Sequence, residues 1–99
     1  MEFEWDETKE KENLRKHGID FISAATVFDG PMLTRVDTRE DYGEVRWIGI
    51  GTVEGRVVVV CFTERGKGNK IRIISARKAL SHERERYEKE IANRLGIDR

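Results

Sequence analysis

The sequence from residue 57 to residue 79 reads VVVVCFTERGKGNKIRIISARKA. It contains two apolar runs rich in β-branched residues, Val57–Thr63 and Ile71–Ala76, on either side of the segment Gly66-Lys67-Gly68. Such runs are typical of buried strands, and a short glycine-containing segment between them is typical of a hairpin turn. We therefore expect an antiparallel hairpin at the centre of a sheet.

The part of this hairpin from Thr63 to Ala79 is strongly basic. It carries one acidic residue, Glu64, and six basic ones, namely Arg65, Lys67, Lys70, Arg72, Arg77 and Lys78. Because the apolar runs place these cations on a folded sheet, they can be held at fixed spacing toward a polyanion. The phosphates of RNA or DNA are the first partner to consider.

The composition predicts a single domain spanning residues 1–99. Its 99 residues suffice for one hydrophobic core, and with a single proline most of the chain is free to form regular structure. Its net charge is zero, but residues 1–55 carry 7 basic and 13 acidic side chains, whereas residues 56–99 carry 12 basic and 6 acidic ones. This asymmetry suits a nucleic acid, or a charged protein partner, on the basic side.

Neither a metal site nor a membrane segment is expected. The one cysteine, Cys61, lies within an apolar run without a partner for an intramolecular disulfide, and Cys/His spacings typical of metal sites are absent. The acidic N-terminus lacks the features of a secretion signal, and no segment approaches about 18 apolar residues. We expect a cytoplasmic protein without a cofactor.

The N-terminal segment predicts a short strand followed by a helix. Residues 3–5 alternate aromatic and acidic side chains, which is the period of a half-buried strand. Asp6 can then cap a helix over Glu7–His17, which Gly18 ends in a left-handed conformation. This helix is almost entirely polar, and we expect Leu14 to be its main anchor.

The remaining elements complete an α+β domain. A second helix follows the cap Asp20 and stops at Asp29-Gly30-Pro31, and a last helix follows the cap Ser81 and ends at Gly96. The strand candidates are Met32–Val36, Val45–Gly51, Val57–Thr63 and Ile71–Ala76. The predicted order β-α-α-β-β-β-β-α implies an antiparallel sheet, with helices on one face and the other face partly open.

Several short motifs together resemble the BrnT toxin family. Each motif is weak alone, but the ordered set, from residue 3 to residue 87, is specific. The motifs are Phe3-Glu4-Trp5-Asp6, Lys9, Asn13, Lys16-His17-Gly18 with Phe21 and Ala24, Tyr42-Gly43-Glu44 with Arg46, Phe62-Thr63-Glu64-Arg65, and Ile71 to Ala79 with Glu83 and Tyr87.

The resemblance implies a RelE-like fold and a ribonuclease toxin of a bacterial type II toxin-antitoxin pair. It also implies a BrnA-type antitoxin that neutralises the toxin and binds operator DNA, so that the toxin meets DNA only through the antitoxin. The residues alone also suit a non-catalytic nucleic-acid-binding module. An inactive toxin remnant that acts only in a repressor complex is a further alternative.

Metal-free cleavage of RNA by the 2′-OH needs a base, a proton donor and cations facing the developing phosphorane charge. Arginine suits the last task because its planar fork binds phosphate oxygens in pairs. The leading candidates are Arg65 and Arg77, each at the end of a predicted strand. The alternative is that they pair with acids such as Glu83.

The register of the central hairpin decides which cations share a face. If Arg65 opposes Asn69, alternation puts Arg77 on the face of Arg65, and if it opposes Lys70, Arg72 goes there instead. Further candidate contacts to phosphate or base are Arg46, Lys70, Arg72 and Tyr42. Glu64 should face away from Arg65, and His17 at a helix end is better explained as a cap, so no base and acid pair is legible.

Overall fold

The computed structural model describes residues 1–96, in which five strands and three α-helices follow one another in the predicted order. The strands are β1 (Glu2–Glu4), β2 (Leu33–Val36), β3 (Arg46–Val53), β4 (Arg56–Arg65) and β5 (Lys70–Lys78). The helices are α1 (Glu7–His17), α2 (Phe21–Ala25), which a 3₁₀ turn over Thr26–Asp29 continues, and α3 (Ser81–Arg94). The predicted α+β class is confirmed. Within these residues no helix is long and apolar enough to cross a membrane.

The sheet is mixed, with the strand order β1-β5-β4-β3-β2. Strands β2 to β5 are antiparallel neighbours, but β1 runs parallel to β5, with Phe3 opposite Ile71. The prediction of an antiparallel sheet is therefore wrong for β1. Alternation of side chains identifies a strand but not its direction, and most of the chain separates β1 from its partner.

The register of the central hairpin places Arg65 opposite Lys70, and Arg72 opposite Thr63. Directly opposed residues share a face of an antiparallel pair, so Arg72 lies on the face of Arg65. A β-bulge follows, since Phe62 opposes Ile73 whereas its neighbour Cys61 opposes Ser75.

The bulge inserts Ile74 as one extra residue in β5 and thereby shifts the alternation. Beyond it, Ser75 and Arg77 return to the face of Arg65 and Arg72. Of the two predicted registers, the one with Arg65 opposite Lys70 is confirmed and the one with Asn69 is wrong. Arg77 nevertheless shares the face of Arg65, because the bulge shifts the alternation that the prediction took as regular. We call this side of the sheet the basic face and the opposite side the core face.

The hydrophobic core lies between the core face and α1, α2 and the 3₁₀ turn. It is formed by fully or nearly fully buried side chains from β4, β5, α2 and the turn. They include Phe62 and Val60 of β4, Ile73 and Ala76 of β5, and Phe21 and Val27. The helices α1 and α2 thus pack on the core face only, and they leave the basic face uncovered.

Helix α1 begins and ends as predicted, but its anchor is Asn13. Asp6 accepts hydrogen bonds at the N-terminus, and Gly18 has a φ of 72° at the C-terminus. Leu14 is 48% exposed, so its predicted role as anchor is wrong. The buried Asn13 instead donates to the carbonyl of Ala76 (2.9 Å) and accepts from its N–H (3.0 Å). Strand β1 pairs with β5 only up to Arg72, so this side chain satisfies backbone groups that β1 does not reach.

Helix α3 lies against the basic face, which corrects the expectation that the helices cover one face. Its buried Tyr87 shares a groove with Thr52 and Val57, and the phenol donates to the carbonyl of Pro31 (2.8 Å). The N-terminus is capped by Glu83, which accepts from the N–H of Leu80 (2.8 Å). Ser81 is therefore the first helical residue and not the cap. At the other end Gly96 is left-handed, as predicted.

Candidate nucleic-acid interface

Four of the predicted cations meet on the basic face at the turn end of the central hairpin. Arg65 opposes Lys70 across the β4–β5 pair. One step further along, Thr63 lies between Arg46 on β3 and Arg72 on β5. Because neighbouring strands are about 4.8 Å apart, these three strands place the four cations in one compact group. We call Arg46, Arg65, Lys70 and Arg72 the hairpin cluster.

Glu44, just before β3, holds two members of the hairpin cluster. Its carboxylate accepts from Nη2 of Arg65 (3.1 Å) and lies 3.5 Å from Nε of Arg46. The side chains of Arg65 and Glu44 are 45% and 31% exposed. Ion pairs this accessible to water contribute little free energy, so a phosphate oxygen can replace the carboxylate at small cost.

Glu4 of β1 contacts the other two members of the hairpin cluster, Lys70 and Arg72. It accepts from Nη1 of Arg72 and lies 3.8 Å from Nζ of Lys70. The hydrogen bond from Arg72 lowers the pKa of Glu4, so this carboxylate is ionised at neutral pH. The parallel strand β1 thus brings an acidic side chain beside the cluster, which no sequence motif indicated.

Arg77 lies apart from the hairpin cluster. It opposes Val59, six residues along β4 from Arg65, which corresponds to about 20 Å. Its Nη1 and Nη2 donate to both oxygens of Glu83 at 2.8 and 3.0 Å. These bonds lower the pKa of Glu83 to about 2. In the arrangement seen, Arg65 and Arg77 cannot bind the same phosphate.

A cleft with three basic residues adjoins Arg77 at the C-terminal end of α1. Lys16, His17 and Lys78 line it together with Arg77 and Leu80. His17 is the last residue of its helix, where a cation interacts favourably with the helix dipole. The cleft extends positive charge around the sheet edge beyond the point where β1 ends.

Tyr42 lies in the loop before β3 and has two polar neighbours. The guanidinium of Arg46 covers one face of the ring at 4.2 Å from the centroid. The hydroxyl donates to Oδ2 of Asp37 (3.1 Å). Burial, together with this bond, raises the pKa of the phenol. Only the other face of the ring is available to stack on a base.

Sequence reasoning missed Asp37 and Arg39. Asp37 is buried, and its carboxylate accepts from the backbone N–H, Nε and Nη2 of Arg39. The only sequence signal is an aspartate two residues before its partner at the end of a strand, which is typical of many turns. Burial of that carboxylate depends on the tertiary fold and leaves no trace in the local pattern.

The carboxylates near the site divide between the two faces. Glu64 opposes Ile71 of the core face and is exposed, as alternation predicted, whereas Glu44 directly contacts Arg65. Among residues 1–96, no group of three or more His, Cys, Asp or Glu side chains is arranged to hold a metal ion.

Comparison with known proteins identifies the family. A search of curated proteins found no match. The family model described as "Ribonuclease toxin, BrnT, of type II toxin-antitoxin system" matches residues 5–83. The matched segment includes Asn13, Asp37, the hairpin cluster, Arg77 and Glu83. Since this match covers well over half of the 99 residues, the chain belongs to the BrnT family of ribonuclease toxins of type II toxin-antitoxin systems.

Proposed function

We propose that the protein is an endoribonuclease that cleaves RNA by attack of a 2′-OH on the neighbouring phosphate, without a metal ion. The observation that carries this proposal is the hairpin cluster, in which three strands bring four cations to one end of the basic face. We further propose that residues 1–99 form one cytoplasmic domain with a RelE-like arrangement.

In this reaction the 2′-OH loses its proton and its oxygen forms a bond to phosphorus, while the bond from phosphorus to the 5′-oxygen breaks and that oxygen takes up a proton. The products are a 2′,3′-cyclic phosphate and a 5′-hydroxyl. Negative charge builds on the non-bridging oxygens, and the fork of Arg65 is suited to hold two of them. The phosphate enters by displacing Glu44 from Arg65, which removes one hydrogen bond of 3.1 Å. Arg46, Lys70 and Arg72 then hold the neighbouring phosphates.

Arg77 has a separate role in this proposal. Its distance of about 20 Å from Arg65 places it at a flanking part of the RNA, and it acts on the reaction through RNA binding. The adjoining cleft with Lys16, His17 and Lys78 extends the same track.

The type II family implies an antitoxin partner. We propose that it is of the BrnA type, that it blocks the basic face, and that it alone contacts operator DNA. Such an antitoxin would supply carboxylates to the hairpin cluster in the place of RNA phosphates. The internal pairs with Glu4 and Glu44 show that this face accepts carboxylates.

The test is cleavage by the purified chain, free of any partner, on a defined RNA in EDTA. We expect cleavage in EDTA, since guanidinium groups supply the charge that a metal ion supplies elsewhere. Activity that disappears on chelation and returns with a divalent ion would contradict the metal-free reaction. In cells, induction alone should arrest growth, and the adjacent open reading frame should rescue it.

The cleavage assay, together with binding measurements, separates the two alternatives, a non-catalytic binding module and an inactive toxin remnant. RNA binding that weakens with salt, but no cleavage, would identify a binding module. Tight binding to the neighbouring gene product, with neither cleavage nor toxicity, would identify a remnant.

A further inference from the structure

The guanidinium of Arg39 is held on one edge and open on the other. Its Nε donates to Oδ1 of Asp37 (2.9 Å) and its Nη2 donates to Oδ2 (2.8 Å). Within residues 1–96, no hydrogen bond from Nη1 is found, so the edge formed by Nη1 and Nη2 keeps donors available. This is the edge with which an arginine can bind two oxygens of a phosphate.

Asp37 is a firm support for this arginine. The side chain of Asp37 is completely buried, whereas that of Arg39 is 68% exposed. Both carboxylate oxygens are satisfied, since Oδ1 also accepts from the N–H of Arg39 (3.1 Å) and Oδ2 from the Tyr42 hydroxyl (3.1 Å). The hydrogen bonds from Arg39 hold the pKa of Asp37 far below its usual range. A buried carboxylate that is always ionised fixes the orientation of an exposed cation.

Arg39 lies on the basic face beside the hairpin cluster. The N–H of Asp37 donates to the carbonyl of Arg46 (2.7 Å), which places the Asp37–Arg39 unit beside β3. Burial raises the pKa of Cys61 in β4, and the charge of Arg39 acts in the opposite direction. The bonds to Glu83 raise the pKa of Arg77, and Arg39 again opposes the shift. Cys61 and Arg77 both lie on the basic face, which agrees with the place that the hydrogen bond from Asp37 gives to Arg39.

We propose that Arg39 is a phosphate-binding residue of the RNA site and that Asp37 is its positioning residue. The inference rests on the proposed ribonuclease function and deepens it. It adds a pre-oriented guanidinium beside the hairpin cluster, next to Arg46. Arg39 need not release its carboxylate to bind a phosphate, because Asp37 takes the Nε–Nη2 edge and leaves the Nη1–Nη2 edge.

The test measures binding to an RNA oligonucleotide with 2′-O-methyl groups, which keeps the phosphates but lacks the attacking hydroxyl. We expect Arg39→Ala to lower its affinity about 10-fold and to reduce the salt slope by about one ion. Arg56→Ala, at the far turn of the β3–β4 hairpin, removes the same charge from an exposed site and should change affinity less than about 2-fold.

Asp37→Asn tests the positioning role in a double-substitution cycle. It should weaken binding in the parent but have no further effect on affinity when Arg39 is already alanine. A stability loss alone would lower the melting temperature in both backgrounds without producing this pattern. Arg39→Lys, which keeps a cation beside Asp37, serves if Arg39→Ala does not fold. It should retain the salt slope and lower the affinity for the same oligonucleotide a few-fold, because lysine lacks the fork that holds two phosphate oxygens.

Unchanged affinity of a folded Arg39→Ala variant would overturn the inference, whether or not the variant binds the antitoxin less well. Equal loss on Asp37→Asn in both backgrounds would overturn the positioning role. If the parent chain binds RNA through Arg39 but never cleaves it, the proposed function fails and this inference stands. If the parent cleaves RNA and Arg39→Ala has no effect on affinity, the proposed function stands and this inference fails.

Discussion

Arg65 and Arg77 are similarly exposed, at 45% and 40% of their side chains, but they are held very differently. Arg65 makes one hydrogen bond to Glu44, whose own side chain is partly open to water. Arg77 makes two bonds to Glu83, which is only 15% exposed and also caps α3. Exposure alone therefore does not rank basic residues as binding residues. The number and burial of the hydrogen bonds distinguish Arg65, which a phosphate can take over from Glu44, from Arg77, whose partner also holds the start of α3.

The end of the sheet around Arg77 should carry more of the stability, and Asn13 tests this most strongly. Asn13→Ala leaves the buried N–H and carbonyl of Ala76 without partners, so we expect the free energy of unfolding to fall by about 3 kcal/mol. Urea denaturation gives the value. Leu14→Ala, at the next and half-exposed position, is the control and should cost below about 1 kcal/mol. Equal losses would show that the amide is not an anchor.

Cleavage of RNA should depend more on the end of the sheet around Arg65. We expect Arg65→Ala to melt like the parent and to slow single-turnover cleavage about 10²-fold, which is the scale for losing one charge partner of a transition state. Arg77→Ala should slow cleavage less than about 10-fold and lower the melting temperature, because Glu83 loses two hydrogen bonds. If both variants lose activity equally and melt like the parent, the distinction between Arg65 and Arg77 is wrong.

A charge-preserving change at Arg65 sharpens the chemical side of the comparison. Arg65→Lys keeps the positive charge but loses the fork that holds two phosphate oxygens. RNA affinity and its salt slope should therefore stay within a few-fold of the parent, whereas cleavage should fall about 10-fold. Titrations and single-turnover assays on one RNA measure both quantities. Cleavage at the parental rate would make Arg65 a generic cation and favour a binding module.

The smallest expected effect is a pH dependence of stability at the Arg77 end. Folding lowers the pKa of Glu83 from its usual 4.5 to about 2, mainly through Arg77. The folded state thus binds the proton less tightly, and the stabilisation is complete above pH 4.5 and is lost as the pH falls toward 2. Glu83→Gln should flatten the denaturation free energy in this window relative to the parent. Parallel curves for the two proteins would contradict the assigned pKa.

Most local features of the fold were predictable from sequence, although the cap of α3 is one residue before the predicted Ser81, and the non-local features were not. Asp6, Gly18 and Gly96 act within one helical turn of their own position, so their roles follow from neighbouring residues. The parallel pairing of β1 and the bulge at Ile74 depend on a partner strand that local periodicity does not specify.

The same distinction applies to the candidate site. Arg65 and Arg72 were found because they stand beside an apolar strand pattern in the sequence. Asp37 and Arg39 were missed because a loop buries one and exposes the other, and an isolated aspartate in a turn is common. The sequence also left the spacing of Arg65 and Arg77 open, since that spacing follows from register.

The contact between Asn13 and Ala76 also bears on solubility. A sheet edge with open N–H and carbonyl groups is a template on which another chain can add a strand and start an aggregate. Where β1 ends, the amide of Asn13 occupies both groups of Ala76, and α1 lies over the strand. Among the described residues, the outer sides of the two edge strands, β1 and β2, are the other places where a strand could add. This helix side chain therefore removes the stretch of β5 beyond the end of β1 from the places where another copy could add a strand.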